Sequence, residues 1–441
     1  MAEQRFAAAS TRETLTHNVA MINLALETPN QKWAALASHR GWLLGQAEAL
    51  FSFFERNVIN PLGGFYELDE KGRPTAPGYG PAKRPARYLF ATSRIVYAYT
   101  IAHLMGRPGA DFIIDHGMSF LRNSHRDPEY GGYHWSVGYD GPSDSTKQAY
   151  GHAFLAASSA KVAGHPDADR LLADASTVIE ERFWEEEFGA AAEEFTREWE
   201  PFHNYRGQNS NMHLTESLMA AFEATSDSSY IRMAQRIADL IVRRHAAANS
   251  WRLPEHYTDQ WIVDRAYSGN PTFRPYGTPP GHWLEWSRLL LQLWELGGRK
   301  LNWLPQCSKA LFDGAVRDAW DKDAGGFYYT LDWDGNPLVR DRYWWPCCEG
   351  IGASAFLNVI DGDPNYERWY RQIWNFTATH FIDRENRGWR AQIDDALRPS
   401  SDPFFGKVDI YHALQACLIP TLPASGSVTK GLLDAGSSSR L

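Results

Sequence analysis

One phrase recurs six times along this chain, and it limits the fold more than any other feature. An acidic turn leads to a Gly or Gly-Gly, then to an aromatic residue, then to polar alternation. It reads Gly63-Gly64-Phe65-Tyr66 followed by Asp69 and Gly72, and Gly131-Gly132-Tyr133 followed by Asp140-Gly141-Pro142. A degraded third copy starts at Phe188-Gly189, and a fourth spans Trp251 to Trp261 without its Gly. The fifth is Gly325-Gly326-Phe327-Tyr328 with Asp334-Gly335 behind it, and the sixth is Gly388-Trp389. The copies stand roughly 57 to 75 residues apart, which is room for two helices and a loop.

Between the copies, apolar residues recur at helical spacing. This predicts helices at 38–57, 85–105, 110–124, 146–163, 165–183, 209–226, 228–246, 281–297, 303–319, 344–359, 364–382 and 406–418. Ser145 with Gln148 reads as a capping box, and Pro280 as a helix start. Asp-Gly turns flanked by aromatics predict short β-hairpins inside the long loops. Six helix pairs with every long loop on one side make an all-α (α/α)6 barrel with hairpins at one mouth. The even-numbered helices follow the long loops and begin at that mouth. Residues 1–35 read as an N-terminal extension, 36–422 as one catalytic barrel domain, and 423–441, rich in Ser and Gly, as a flexible tail.

Composition narrows the function classes. Of 441 residues 44% are hydrophobic, enough for a large core, and the net charge is -9 with no basic run, so nucleic acid is not an expected partner. No stretch of about 20 apolar residues exists, so no membrane span is expected. The N-terminus lacks the basic patch and apolar segment of a secretory signal. Cys307, Cys347, Cys348 and Cys417 are too few and too scattered for a disulfide scaffold. They read as reduced thiols in a cytoplasmic protein. The 18 Trp are a high count. Most must serve the core, but such rings also line sugar sites, where the apolar face of a pyranose stacks.

The even-numbered helices carry polar residues at helical spacing near their starts. The second has Arg94, the fourth Gln148 and His152, and the sixth Asn209, His213 and Glu216. The eighth has His282 and Glu285, the tenth Trp345 and Glu349, and the twelfth His412. These spacings put each set on one face. A lone buried histidine is more often a satisfied core residue than a catalyst. Glu285 could merely orient His282, and Arg94 could pair with Glu349. Six helices offering polar groups at the same end of an apolar cup point instead to a functional cavity. Helix N-termini converge there, favouring a developing anion such as an enediolate and keeping histidine neutral. His116, His165, His203 and His245 lack this context, whereas His256 lies on a loop from which it could touch a ligand.

The phrases Thr92-Ser93-Arg94, Gly207-Gln208-Asn209-Ser210-Asn211-Met212-His213, Arg274-Pro275-Tyr276-Gly277, Pro280 to Trp286, Trp345-Pro346 leading to Glu349, and Asp409-Ile410-Tyr411-His412 together carry a resemblance. The chain resembles the N-acylglucosamine 2-epimerase superfamily, and within it the aldose–ketose isomerases acting on mannose or sulfoquinovose. The resemblance runs from Ser38 to about Pro420. It implies an (α/α)6 barrel, His282 and His412 as the acid–base pair, and Arg94, Asn209, His213, Arg274, Glu285, Trp345 and Glu349 as sugar-binding residues. It implies interconversion of an aldose and a ketose, mannose and fructose, through a cis-enediolate. His412 is favoured at C2 and His282 at the oxygens, although sequence alone leaves that division open.

Where the sulfoquinovose enzymes carry glutamines near the sulfonate, this chain has Ala391 and Val408, which favours a neutral monosaccharide. Arg390 and Gln392 stand close enough in sequence to compensate. Rival readings are sugar 2-epimerisation of the cellobiose or N-acylglucosamine type, an inverting glycosidase using Glu285 and Glu349, and a protein-binding role. No clustered carboxylate set is visible, so no metal or other cofactor is expected. A monomer or homodimer is the expected state.

Overall fold

The computed structural model describes residues 31–75, 86–149, 155–270, 274–407 and 410–438. Twelve helices follow in order: α1 (Ala37–Phe54), α2 (Leu89–Leu104), α3 (Ala110–Phe120), α4 (Leu155–Val162), α5 (Ala168–Val178) and α6 (Gln208–Thr225). The second half holds α7 (Ser228–Ala238), α8 (Pro280–Leu296), α9 (Trp303–Asp318), α10 (Trp344–Ile360), α11 (Pro364–His380) and α12 (Tyr411–Leu418). Each even helix touches the next even one, and α12 returns to α2, so an inner ring closes. Helices α3, α5, α7, α9 and α11 each cover the inner helix before them, and α1 covers α12. This is the expected (α/α)6 barrel.

The two rings differ as their sequences do. Every residue from Pro280 to Leu293 in α8 and from Trp344 to Asn358 in α10 is buried. A helix apolar all round is stable only when surrounded. Outer helix α7 buries one stripe, with Tyr230, Ile231, Ala234, Ile237 and Ala238 at spacings of three and four. Three outer helices run on into π-turns at Leu121–His125, Ile179–Phe183 and Asp239–Ala246.

The repeated Gly-Gly is a backbone requirement. Both glycines of Gly63-Gly64, Gly131-Gly132 and Gly325-Gly326 have positive φ, which a Cβ opposes. Where the glycine is lost, Ser250 and Trp251 hold φ of 57° and 64° themselves. Arg387, at 65°, stands in for the first glycine before Gly388.

The loops form a closed collar at the mouth. The segment ahead of each inner helix pairs with the next loop. Arg87–Tyr88 pairs with Ser136–Val137, Lys147–Gln148 with Glu194–Phe195, and Tyr205–Gly207 with His256–Thr258. Thr278 then bridges Leu331, Arg342–Tyr343 pairs with Gln392–Ile393, and Lys407 bridges Leu68 to complete the circle. A basic residue of this segment also reaches back to the acid that opened its own loop. Lys147 bonds Asp127 at 2.9 Å, Arg206 bonds Glu185, Arg342 bonds Asp321, and Lys407 bonds Asp383 at 2.8 Å. In the first loop Asn60 takes the acid's place, and Arg87 donates to the Leu62 and Gly63 carbonyls instead.

The collar corrects three expected helix starts. Arg87, Lys147, Gln148 and Lys407 lie in extended backbone, because inter-loop pairing claims their backbone groups. Gln148 is therefore a strand residue and not part of a helical pair, and His152 lies outside the described residues. The C-terminal stretch expected to be a loose tail holds a further helix, α13 (Val428–Ser438). It is anchored where α6 and α8 end, away from the mouth. Glu223 accepts from the Ser427 amide at 2.8 Å, and the Gln292 amide donates to the Gly426 carbonyl at 2.9 Å. Among the described residues no helix is long and apolar enough to cross a membrane. The four cysteines are buried, and none of them is in a disulfide among the described residues.

Candidate active site

Among the described residues, five of the six inner helices line one cavity at the mouth with residues near their starts. Its wall includes Arg94 from α2, Asn209 and His213 from α6, His282 and Glu285 from α8, Trp345 from α10 and His412 from α12. Loop residues Glu67, Arg87, Tyr329, Phe404 and Lys407 complete it. Seven of the nine sequence-derived site residues thus share one space.

The two histidines are built alike. His282 Nδ1 lies 2.8 Å from Glu255 Oε1, and His412 Nδ1 lies 2.8 Å from Glu349 Oε1. A carboxylate only accepts, so each Nδ1 carries the proton and each Nε2 is left as the basic nitrogen. The Trp345 ring lies beside both imidazoles, with centroids 5.0 Å from His282 and 5.9 Å from His412. The close approach of Trp345 depends on Gly281. A Cβ at that position would overlap the indole and meet the Pro346 ring. Gly281→Ala should therefore push Trp345 off the histidines while costing stability only about 1–3 kcal/mol. We expect a fall of at least about tenfold in kcat/KM, roughly 1.4 kcal/mol of transition-state binding, with the folded state retained. Steady-state kinetics alongside urea unfolding checks both halves.

The orienting acid of His282 is Glu255, not Glu285. Gln208 Nε2 donates to both Glu255 oxygens at 2.9 and 3.0 Å, and Gln208 Oε1 accepts from the Trp286 indole at 2.8 Å. Glu255 and Gln208 escaped sequence reasoning. Glu255 sits on a loop, with no periodicity to tie it to the helix it serves. His256 beside it bonds Tyr205 Oη and the Pro275 carbonyl and is a structural residue.

Glu349 and Arg274 were expected on the sugar, and neither lines the cavity. Glu349 stands behind His412. Arg274 lies 3.3 Å from both Glu193 and Glu194, with its guanidinium over the Tyr205 ring. Arg94 lies over the Tyr411 ring at 4.7 Å, within the cavity wall. Among the described residues nothing hydrogen-bonds the buried Asn209 Oδ1, an acceptor suited to a ligand hydroxyl.

Beneath the cavity lies a charge cluster that the sequence did not reveal. Arg288 Nε meets Glu349 Oε2 at 2.7 Å, its Nη1 lies 3.5 Å from Glu216, and its Nη2 lies 3.6 Å from Glu285 Oε1. Burial, and then the neighbouring Glu349 charge, lift the Glu285 carboxyl well above the usual range. Burial also opposes ionisation of Glu349, but Arg288 and the bond to His412 outweigh it and hold that carboxyl down. Burial likewise works against Glu216, yet His213, Arg288 and Tyr411 bring it to about 2. His213 is pushed down to about 4, chiefly by burial. The site therefore sets a carboxyl behind His412 that is held toward its ionised form against a carboxyl at Glu285 that is held toward its protonated form.

The expectation of no clustered carboxylates fails here. His213, Glu216 and Glu285, and likewise Glu285, Glu349 and His412, offer ligand atoms within 4.8 Å of one another. Arg288 already lies among these carboxyls, however, and supplies the positive charge that a metal ion would bring.

The comparisons with known proteins agree with this architecture. A family model described as N-acylglucosamine 2-epimerase matches residues 63–416. A D-mannose isomerase of Thermobifida fusca is 42% identical over 412 residues, which is 92% of this chain and 99% of that protein. One from Pseudomonas cannabina pv. alisalensis is 39% identical over 91% of this chain and 97% of its own. A solved crystal structure of a D-mannose isomerase superposes with a TM-score of 0.79 at 31% identity, covering 86% of this chain and 97% of that one. With a barrel, a collar and two carboxylate-held histidines of its own, this chain belongs to the N-acylglucosamine 2-epimerase family.

Proposed function

We propose that this protein is an aldose–ketose isomerase that interconverts D-mannose and D-fructose without a metal ion. The observation that carries the reading is the pair of imidazoles, each fixed through Nδ1 by a carboxylate, both beside one tryptophan in one cavity. Near-full-length similarity to proteins named D-mannose isomerase supports the substrate.

In this mechanism His412 Nε2 removes the C2 proton of the open-chain aldose. The C2 electrons move into C1–C2 as the C1 carbonyl becomes an enediolate oxygen. Glu349 stabilises the imidazolium that forms, and the Arg94 charge and the converging helix N-termini stabilise the oxyanion. His412 returns its proton to C1 while the C2 oxygen becomes the ketose carbonyl. His282, held by Glu255, opens the ring and carries the proton between O2 and O1.

A neutral sugar fits better than a sulfonated one. Ala391 has no donor in its side chain. The residues able to compensate are committed elsewhere, Gln392 Nε2 to Asp341 and the Asp402 carbonyl, and Arg390 to Asp383. Val408 lies outside the described residues. The reduced, buried cysteines support a cytoplasmic setting.

The test is incubation of chelator-treated protein with mannose, glucose, cellobiose, N-acetylmannosamine and sulfoquinovose, with product identification. We expect fructose from mannose at undiminished rate. Glucose as the main product of mannose, activity restored only by added metal, or a tenfold preference for sulfoquinovose would overturn the reading.

A further inference from the structure

The mouth of the cavity holds a carboxyl that the isomerisation does not use. Glu67 lies on the first loop's hairpin, where Glu67–Leu68 pairs with Pro74–Thr75, and it lines the cavity. Its backbone is pinned from three sides. The Tyr66 amide donates to the Val58 carbonyl at 2.7 Å, Thr75 pairs opposite Glu67, and Leu68 bridges Lys407 in the last loop. The side chain therefore leaves from a fixed point.

Among the described residues, no group bonds the Glu67 carboxyl. The other charged groups in this outer part of the wall are spoken for. Arg87 donates to the carbonyls of Leu62, Gly63, Val137 and Gly138. Lys407 is held by Asp383 at 2.8 Å and lies 3.5 Å from Glu70. An exposed carboxyl would satisfy itself with water. Glu67 is only partly exposed, and burial pushes it up to about 8, so at neutral pH it carries its proton. A half-buried acid with no partner is a cost to the free protein. Such groups persist where a ligand supplies the missing bonds.

We propose that Glu67 is a specificity-determining contact for the sugar hydroxyls remote from C1 and C2. The reacting end of the sugar must sit at His282 and His412, which the inner helices α8 and α12 supply. Glu67 enters the same cavity from the loop layer above, where the C4 to C6 end of a bound hexose would lie. A neutral carboxyl both donates and accepts, which matches a hydroxyl, itself a donor and an acceptor. The inference rests on the proposed sugar isomerase activity and adds to it a residue that selects the non-reacting end.

The experiment compares Glu67→Leu and Glu67→Gln with the wild type on mannose, 4-deoxymannose and 6-deoxymannose. The amide of Gln keeps one donor and one acceptor, whereas Leu keeps neither. We expect Glu67→Leu to raise KM for mannose at least about tenfold with kcat within threefold of wild type, since a contact equal in ground and transition states changes KM alone. Glu67→Gln should stay within threefold on both. The penalty that the wild type shows for one of the deoxy sugars should shrink to within twofold in Glu67→Leu, because residue and hydroxyl report the same contact. Glu67→Leu should unfold at the same or higher urea concentration, which separates a ligand contact from a structural one. An unchanged KM in Glu67→Leu, a loss confined to kcat, or a Glu67→Gln as impaired as Glu67→Leu would each overturn the proposal. Failure of the wild type itself to convert mannose is a separate result, and it would overturn the functional reading instead.

Discussion

Replacing His412 by Asn will lower kcat on mannose by at least about a hundredfold, because a positioned general acid–base is typically worth about 10² to 10⁴ in rate. Asn keeps the volume and a donor toward Glu349 Oε1, so the fold and sugar binding should survive. Glu349→Gln should also impair turnover while leaving His412 in place. An amide cannot stabilise the imidazolium as a carboxylate does, and Arg288 would lose its nearest counter-charge, 2.7 Å away. His282→Asn will be impaired too, through ring opening and proton movement at the oxygens. Pre-opened or rapidly mutarotating aldoses should narrow its deficit and leave that of His412→Asn unchanged. Steady-state kcat and KM for the three variants check the ordering.

Arg288→Met will be the most destabilising single change near the site. It would leave Glu216, Glu349 and Glu285 together in the barrel interior without their common cation. Removing one partner of a buried ion pair costs about 3–5 kcal/mol, because the other charge stays buried. That is a large share of a typical total stability. Adding Glu349→Gln should recover part of the loss, since the two residues are coupled and their effects will not sum. Urea unfolding of the wild type, both single variants and the double variant measures this. Equal midpoints for wild type and Arg288→Met would contradict the charge arrangement described above.

The barrel was legible because each repeat carries its own backbone constraint. Positive φ at Gly131-Gly132 and Gly325-Gly326 favours glycine in most copies of the turn, and the recurrence counts the helix pairs. The starts of α2, α4 and α12 were not legible. Arg87, Lys147 and Lys407 read as helix by local pattern, yet each is claimed by a strand partner or bridge in another loop. Local propensity carries no trace of such pairing. The helix α13 was hidden for a similar reason. Its Ser and Gly content suggests a loose tail, while its anchors are Glu223 and Gln292, far away in sequence.

The same contrast runs through the site. His282 and His412 could be found because they open inner helices, where side chains must face the mouth. Glu255 could not, because only tertiary folding brings a loop acid to His282. Arg288 was within reach and was missed. His282, Glu285 and Arg288 stand at successive intervals of three on α8, so extending the stripe by one step would have led from the cavity wall into the cluster below it. Glu285 and Glu349 look like a matched pair in sequence. Burial and Arg288 make them opposites, one pushed toward its protonated form and one toward its ionised form.

The central claim is that His412 is the group that moves the carbon-bound proton. Its most direct measurement is deuterium uptake from heavy water at C2 of recovered mannose and at C1 of fructose, for the wild type, His412→Asn and His282→Asn. The account predicts exchange by the wild type, none by His412→Asn at either carbon, and residual exchange by His282→Asn. Exchange by His412→Asn at the wild-type rate, with none by His282→Asn, would contradict it by reversing the two roles.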